Sequence, residues 1–413
     1  MINLITEKIF KKIYSYKIIF TKYLWKWHHR WLIESYYTPK KILHNNNKKE
    51  SQIKISHIAT FSRWNTGDIM LPLCVKDSFN ILQNNINWKS FQIALPYSDK
   101  HIRRINNSKG LIIGGGGVFI SRNDPNRKHP SSWHWNCTTN LTKKINVPIV
   151  FFAVGYNQFR NSEKMPKQFS EHLLSFSKNI KFIGMRNYGS VNKIKEYLPK
   201  NLHNKVHFQP CPTTIISKLY PSFFNNQPKE KENQIIGVNC AFDRSNKRFG
   251  NRKEEICISI ADAIKNFTNK NKIKYIIHSP DDRQFVNYLD KLEIKYDIID
   301  LVDKSPIDII NTYQQFSLVI GMRGHSQMIP FGCKIPIISL ISHDKLGFFL
   351  KDIDRNEWGI DVNVKNLTNE LISKTSHVLK NNSRIINDIE SLQCELFKIT
   401  KENSLRVLEI FNN

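Results

Sequence analysis

The chain has 413 residues, of which 40% are hydrophobic and 11% aromatic, long enough for two domains with a core each and too apolar for a disordered protein. Sixty-two Lys and Arg against 35 Asp and Glu leave a formal net charge of +27, which suits nucleic acid, an anionic membrane face or a phosphorylated substrate; lysines spread over a solvated surface account for it equally well. The seven cysteines are scattered and form no C-x-x-C pair, which argues against a disulfide framework and a zinc site and for reduced, mostly buried thiols in the cytosol.

Residues 1–50 contain "LITEKIFKKIYSYKIIFTKYLWKWHHRWL". Lysines interrupt the apolar groups, so no signal-peptide core forms, and no run approaches the roughly 18 apolar residues that span a bilayer. The spacing predicts a basic aromatic helix. It either lies on an anionic membrane surface, with Trp25, Trp27 and Trp31 at headgroup depth, or packs on the body of the protein. That gives a cytoplasmic protein, peripheral on the inner membrane face under the first reading. A polar linker, "NNNKKESQ", follows at 45–52.

From residue 51 short apolar runs alternate with amphipathic stretches, the pattern of parallel sheets covered by helices. The first set is "IKISHIATF", "FQIALP", "GLIIGGGG", "VPIVFFAVG", "KFIGMR" and "VHFQP", with helices predicted over 68–85, 132–144, 168–178 and 189–198. A polar break at 225–234 ends this half. The second set is "IIGVNCAF", "KYIIHSP", "KYDIID", "FSLVIGMR" and "IPIISLI", and 366–411 reads as one or two closing helices. The expected domains are therefore 51–224 and 234–365, with 366–413 closing the structure. Each is an α/β, Rossmann-like unit, and the two face each other across a cleft. Ligands of such sheets sit at the carboxyl ends of strands, so residues just after the apolar runs are the candidates.

Several runs end in chemistry-bearing residues. "KFIGMRNYGSV" and "LVIGMRGHSQM" share an apolar run, Gly-Met-Arg and a helix start, which places Arg186 and Arg323 at matching strand ends as a two-sided anion clamp. Gly114, Gly115, Gly116 and Gly117 follow "LII" and can bring backbone N–H groups to an anion, or simply make a tight turn. They do not make a G-x-G-x-x-G fingerprint, and the chain has no P-loop. "FSRWNTGDIM" puts Asn65, Gly67 and Asp68 before a helix, where Asp68 caps it, orients a sugar hydroxyl or acts as a base. His278, Asp281 and Asp282 in "HSPDDRQF" lack a third metal ligand at recognisable spacing. "HPSSWHW" supplies His129, Trp133, His134 and Trp135 for sugar stacking or for packing. No zinc-finger spacing, RNP-like motif or basic heptad region supports nucleic-acid binding.

Taken together, the motifs resemble those of the polysaccharide pyruvyl transferases. That family's "N-x-GD", "GGG" after a strand, "R-x-x-x-S" and late "R-x-H" before "G-x-P" correspond here to Asn65–Asp68, Gly114–Gly117, Arg186 with Ser190, and Arg323–His325 before Gly332 and Pro336. "SHDK" ends at Lys345. The resemblance covers roughly 55–355 and leaves residues 1–50 outside. It departs from the family at "GCKIP", which is spaced more widely, and at "QPCPTT", where Cys211 stands in place of an acidic residue.

The resemblance implies a GT-B-like pair of Rossmann-like domains. It also implies transfer of pyruvate from phosphoenolpyruvate onto two hydroxyls of a sugar in a cell-surface polysaccharide or its precursor, giving a cyclic ketal and phosphate. Phosphoenolpyruvate is then a co-substrate, with no cofactor and no metal required, and the acceptor is a glycan or lipid-linked sugar. Arg186, Arg323, Ser190 and Lys345 hold the donor, and His325, titrating near neutrality, is the general acid/base. The glycine run, Asn65, Gly67, Asp68 and His278 line the acceptor side of the cleft. Two alternatives stay open: a GT-B glycosyltransferase using a nucleotide sugar, and a non-catalytic scaffold of an envelope-assembly complex.

Overall fold

The computed structural model describes residues 52–122, 129–157, 164–225 and 234–413; the N-terminal basic segment and its membrane reading lie outside the described residues. Two six-stranded parallel sheets organise the chain. The first contains β1 (Ile53–Ala59), β2 (Ile86–Gln92), β3 (Gly110–Phe119), β4 (Ile149–Tyr156), β5 (Ile180–Met185) and β6 (Val206–Phe208), in the order β2-β1-β3-β4-β5-β6. The second contains β7 (Ile235–Asn239), β8 (Lys272–Ile277), β9 (Asp297–Asp300), β10 (Leu318–Gly321), β11 (Ile337–Ile341) and β12 (Gly359–Asp361), in the order β12-β11-β10-β7-β8-β9.

Helices of eight or more residues connect and cover these strands. They are α1 (Thr66–Asn80), α2 (Asp99–Asn106), α3 (Lys167–Leu174), α4 (Tyr188–Lys195), α5 (Lys253–Lys265), α6 (Pro306–Tyr313), α7 (Gly324–Gly332), α8 (Asp344–Asp352), α9 (Leu367–Lys380) and α10 (Asn382–Asn412). Among the described residues no helix is long and apolar enough to cross a membrane. All seven cysteines are free and six are buried, as the sequence pattern predicts.

Strands buried on both faces read as unbroken apolar runs. In β4, "IVFFAVGY", every residue but the last is buried. Three local expectations fail for physical reasons. The predicted strand "FQIALP" begins too late: β2 is "INWKSFQ", an edge strand whose polar, half-buried residues hide it from an apolar-run search. The helix predicted over 132–144 shrinks to Thr139–Thr142, because Trp133 and Trp135 anchor irregular backbone in the core, both 0% exposed. The glycine run does not follow a strand; it lies inside β3. There Gly114 has φ +131°, and a Cβ on it would stand 2.2 Å from the Phe152 carbonyl oxygen, so no other residue fits.

The strand orders reverse between β1 and β3 in one sheet and between β7 and β10 in the other. These switch points open crevices at the strands' carboxyl ends, and both crevices meet in one cleft. Across it Thr66 donates from its backbone N–H (3.1 Å) and hydroxyl (3.3 Å) to the His278 carbonyl, and the Asp303 N–H donates to the Arg63 carbonyl at 2.8 Å.

Candidate active site

A cavity of about 260 Å³ occupies this cleft. Residues that follow strands of both sheets line it: Thr60, Asn65 and Asp68 after β1, Asn157 after β4, Arg186 after β5, Asp243, Arg244 and Arg248 after β7, His278 after β8, and Arg323, Gly324 and His325 after β10. Lys345 in the first turn of α8 follows β11. Gly116 and Gly117 form part of the wall, with Ile120, Arg122 and His134.

Arg186 is only 7% exposed. Its guanidinium lies across Gly155, where a Cβ would come within 2.3 Å of Nε. That Nε has no hydrogen-bond partner, and no ion pair to Arg186 is found among the described residues. Burial therefore lowers its basicity, and the nearby Cys211 thiol opposes this only slightly. A buried cation without a counter-charge is costly unless an anion is to be bound beside it. Lys345 reaches the same cavity from the other half and donates to Asn157 Oδ1 at 3.1 Å. Burial, then Arg248 and Arg186, hold its ammonium well below the usual lysine range.

Arg323 differs from its counterpart. It is 9% exposed and already paired. Its Nε donates to both carboxylate oxygens of Asp282 at 2.9 Å, its Nη2 approaches Asp282 Oδ1 at 2.5 Å, and its Nη1 reaches Asp243 Oδ1 at 2.8 Å. Burial alone would lower this guanidinium; Asp282 and Asp243 outweigh it and push it above its ordinary value. Asp243 in turn receives Arg248 Nη2 on both oxygens at 2.9 and 3.1 Å. Both arginines of the Gly-Met-Arg echo line the cavity, but Arg323 is held by carboxylates, whereas no carboxylate among the described residues pairs with Arg186.

His325 is half-buried against the start of α1. A Cβ on Gly67 would sit 2.0 Å from its Nδ1, so glycine lets that helix turn touch the ring. Its Nε2 faces Cys211 Sγ at 3.8 Å. Burial first, then Arg186 and Lys345, pull the imidazole down to about 3. It is therefore neutral at neutral pH, which corrects the expectation of a group titrating near 7. The group held near 7 is Asp68, pushed up by burial and pulled back only partly by Arg323 and Lys345. Asp68 does not cap α1; Asn65 does, accepting from the Gly67 and Asp68 N–H groups at 2.9 and 3.3 Å.

The remaining sequence candidates divide. Gly116 and Gly117 reach the cavity, whereas Gly114 and Gly115 do not; Gly115 backs onto Leu71. Ser190 does not reach it either. Its backbone N–H donates to Asn187 Oδ1 at 2.7 Å and its hydroxyl accepts from the Tyr156 N–H at 3.0 Å, which turns it back onto β4. His278 lines the wall, but its ring Nε2 is bonded to the Tyr313 hydroxyl and burial holds it well below the usual range. Asp243, Arg244, Arg248, Arg122 and Asn157 were not singled out from the sequence. Asp243 and Arg244 come directly after "IIGVNCAF", so the rule of looking just past each apolar run reaches them.

A sequence model of the family described as "Polysaccharide pyruvyl transferase" matches residues 1–344. The chain belongs to the polysaccharide pyruvyl transferase family. The match begins at residue 1, so it takes in the N-terminal segment that the motif resemblance leaves outside, and it ends one residue before Lys345. This is an enzyme family, and its transferases act on polysaccharide. No curated protein compared with the chain matches it. Solved structures show the fold: Anabaena HepE in complex with UDP-glucose superimposes with TM-score 0.53 at 9% identity over 87% of this chain and 100% of that one. The UDP-GlcNAc 2-epimerase from Neisseria meningitidis bound to UDP-GlcNAc gives 0.52 at 11% identity, covering 86% and 100%. A likeness at this identity establishes the GT-B-like architecture of the pyruvyl transferase and nothing about its ligand.

Proposed function

We propose that this pyruvyl transferase moves the pyruvyl group of phosphoenolpyruvate onto two hydroxyls of a sugar in a cell-surface polysaccharide or its precursor. The observation that carries this reading is Arg186, a buried guanidinium with no acidic partner among the described residues, facing the same cavity as Lys345. Together they suit a small ligand bearing a phosphate and a carboxylate. Arg323, held and neutralised by Asp282 and Asp243, serves as a fixed wall that offers its remaining N–H groups.

In the reaction a first acceptor hydroxyl bonds to C2 of the donor while the methylene carbon takes a proton. The C2–O bond to phosphate then breaks, and the second hydroxyl bonds to C2 to close the ketal. One donor and one diol give one ketal and one phosphate. Neutral His325 accepts a hydroxyl proton, and its basicity rises once a donor anion offsets Arg186 and Lys345. Asp68, still partly protonated at neutral pH, supplies the proton to the methylene carbon and, left as a carboxylate, takes up the proton of the second hydroxyl as the ketal closes, while His325 passes its own proton to the departing phosphate. Asn65, Gly116, Gly117 and His278 form the wall offered to the acceptor. Donor phosphate held by side-chain cations and N–H groups fits chemistry that uses phosphoenolpyruvate as co-substrate.

The rival donor is a nucleotide sugar, since UDP-glucose is the ligand named for the Anabaena structure and a diphosphate would meet the same cations. Incubation with phosphoenolpyruvate and a panel of envelope glycans separates the two. Ketal formation releases phosphate and makes the acceptor heavier by one pyruvate less one water. Consumption of a nucleotide sugar with phosphoenolpyruvate untouched overturns the pyruvyl reading, and full turnover by His325→Ala removes His325 from its role.

A further inference from the structure

We infer that Trp64 is a stacking platform for a pyranose ring of the acceptor glycan, fixed at the rim of the cavity. This rests on the acceptor half of the proposed function and adds to it a residue that contacts sugar rather than donor. Trp64 is 67% exposed, the most exposed large hydrophobic side chain among the described residues. Isolated exposed apolar side chains are common, so exposure alone says little. What distinguishes Trp64 is the loop that carries it.

Residues Thr60 to Asn65 join β1 to α1, and both ends of the loop, Thr60 and Asn65, line the cavity. The loop is tied down along its length. Phe61 is buried, and its backbone N–H and carbonyl are both bonded to the Gln92 side chain, at 3.4 and 2.6 Å. The Trp64 N–H donates to Ser62 Oγ at 3.2 Å. Arg63 forms an ion pair with Asp303 from the opposite half and accepts the Asp303 N–H on its carbonyl. Asn65 caps α1. Trp64 therefore stands on an arch fastened to both halves of the cleft, one residue from the cavity wall, while among the described residues no ring or cation packs on its indole.

A sugar suits this surface. A pyranose presents a flat face of C–H groups that an indole can cover, with hydroxyls at its edge free for neighbours such as Asn65. A tryptophan on a backbone already tied down spares the sugar the cost of ordering the loop, leaving only the two side-chain torsions of the indole to fix. The tryptophans that the sequence offers for stacking, Trp133 and Trp135, are sealed in the core and bond or pack there. The exposed indole carried on the loop between the cavity-lining Thr60 and Asn65 is the one in "SRWNTGD".

The test uses the full chain and an array of defined galactose, glucose, mannose and N-acetylhexosamine oligosaccharides, with phosphoenolpyruvate affinity measured in parallel by calorimetry. Trp64→Ala should weaken binding to the glycans that wild type retains by about tenfold, with phosphoenolpyruvate affinity unchanged, and Trp64→Phe should restore most of it. Glycan binding by Trp64→Ala within twofold of wild type overturns the inference, as does a wild-type chain that binds no glycan on the array. Selective loss of glycan binding in a protein that releases no phosphate from phosphoenolpyruvate supports the platform while overturning the pyruvyl reading. A Trp64→Ala variant that loses affinity for anionic vesicles instead of glycans makes Trp64 a membrane contact and overturns the inference.

Discussion

Replacing Arg186 by methionine should make the protein more stable and its donor binding weaker at once. The guanidinium is 7% exposed, its Nε has no partner, and no carboxylate among the described residues pairs with it. An uncompensated buried ion carries a penalty of several kcal/mol, and an apolar side chain of similar reach recovers about 1–3 kcal/mol of it. With about 2.1 cal/mol/K of unfolding entropy per residue, that corresponds to a melting temperature higher by roughly 1 °C for each kcal/mol. On the proposed role of Arg186, the same substitution removes a bidentate charged contact to the donor, about 2–5 kcal/mol, or roughly 30-fold to several thousandfold in affinity. It also removes the strongest charge holding His325 down, so that imidazole should titrate higher than about 3. Scanning calorimetry and titration with phosphoenolpyruvate at fixed ionic strength read both effects. A lower melting temperature with unchanged donor affinity would refute the reasoning, because the guanidinium would then hold the protein together and not the ligand.

Asp68 makes activity depend on pH: with its carboxyl near 7, kcat/KM should fall as pH rises through about 7, and Asp68→Asn should abolish that limb. Its folded-state value lies above the unfolded one, so the folded protein holds the extra proton and stability declines between about pH 4 and 7. Asp68→Asn should therefore raise Tm more at pH 8 than at pH 5. Arg323→Lys should behave opposite to the Arg186 variant, since it breaks the contacts to Asp282 and Asp243 and leaves buried carboxylates behind; a loss of about 3–5 kcal/mol in denaturant unfolding is expected. Cys211→Asp places a carboxylate beside His325 Nε2, now 3.8 Å from sulfur, and should move the histidine titration upward by NMR, whereas Cys211→Ser should leave it nearly in place.

Most of the fold was legible because each central strand is an apolar run ended by a polar or glycine residue, and the site was legible for the same reason. Arg186, Arg323, His325, Asn65 and Asp68 all come just past such runs. What the sequence hid depends on long-range pairing. Nothing near Arg323 says that Asp282, 41 positions away, and Asp243 will neutralise it, so two arginines in matching motifs looked equivalent when only one is uncompensated. Ser190 fits a motif spacing, yet a helix beginning at Tyr188 turns its hydroxyl toward the Tyr156 N–H. The state of His325 was likewise invisible, because it is set by burial and by cations brought from β5 and α8.

The helix α10 has a consequence for how the protein is made. Its 31 residues span roughly 46 Å at 1.5 Å each and touch both halves: Gln393 bonds Ser217 on one side and the Phe331 carbonyl on the other, Asn403 donates to the Phe208 carbonyl, and Phe411 fills the space left by Gly110. The sheet containing β3 and β6 is thus completed by residues translated 195 positions or more later. During synthesis the surface around Gly110 and Phe208 stays wet and unsealed until α10 leaves the ribosome, a window in which a chaperone must shield it or the chain must wait in a partly packed state.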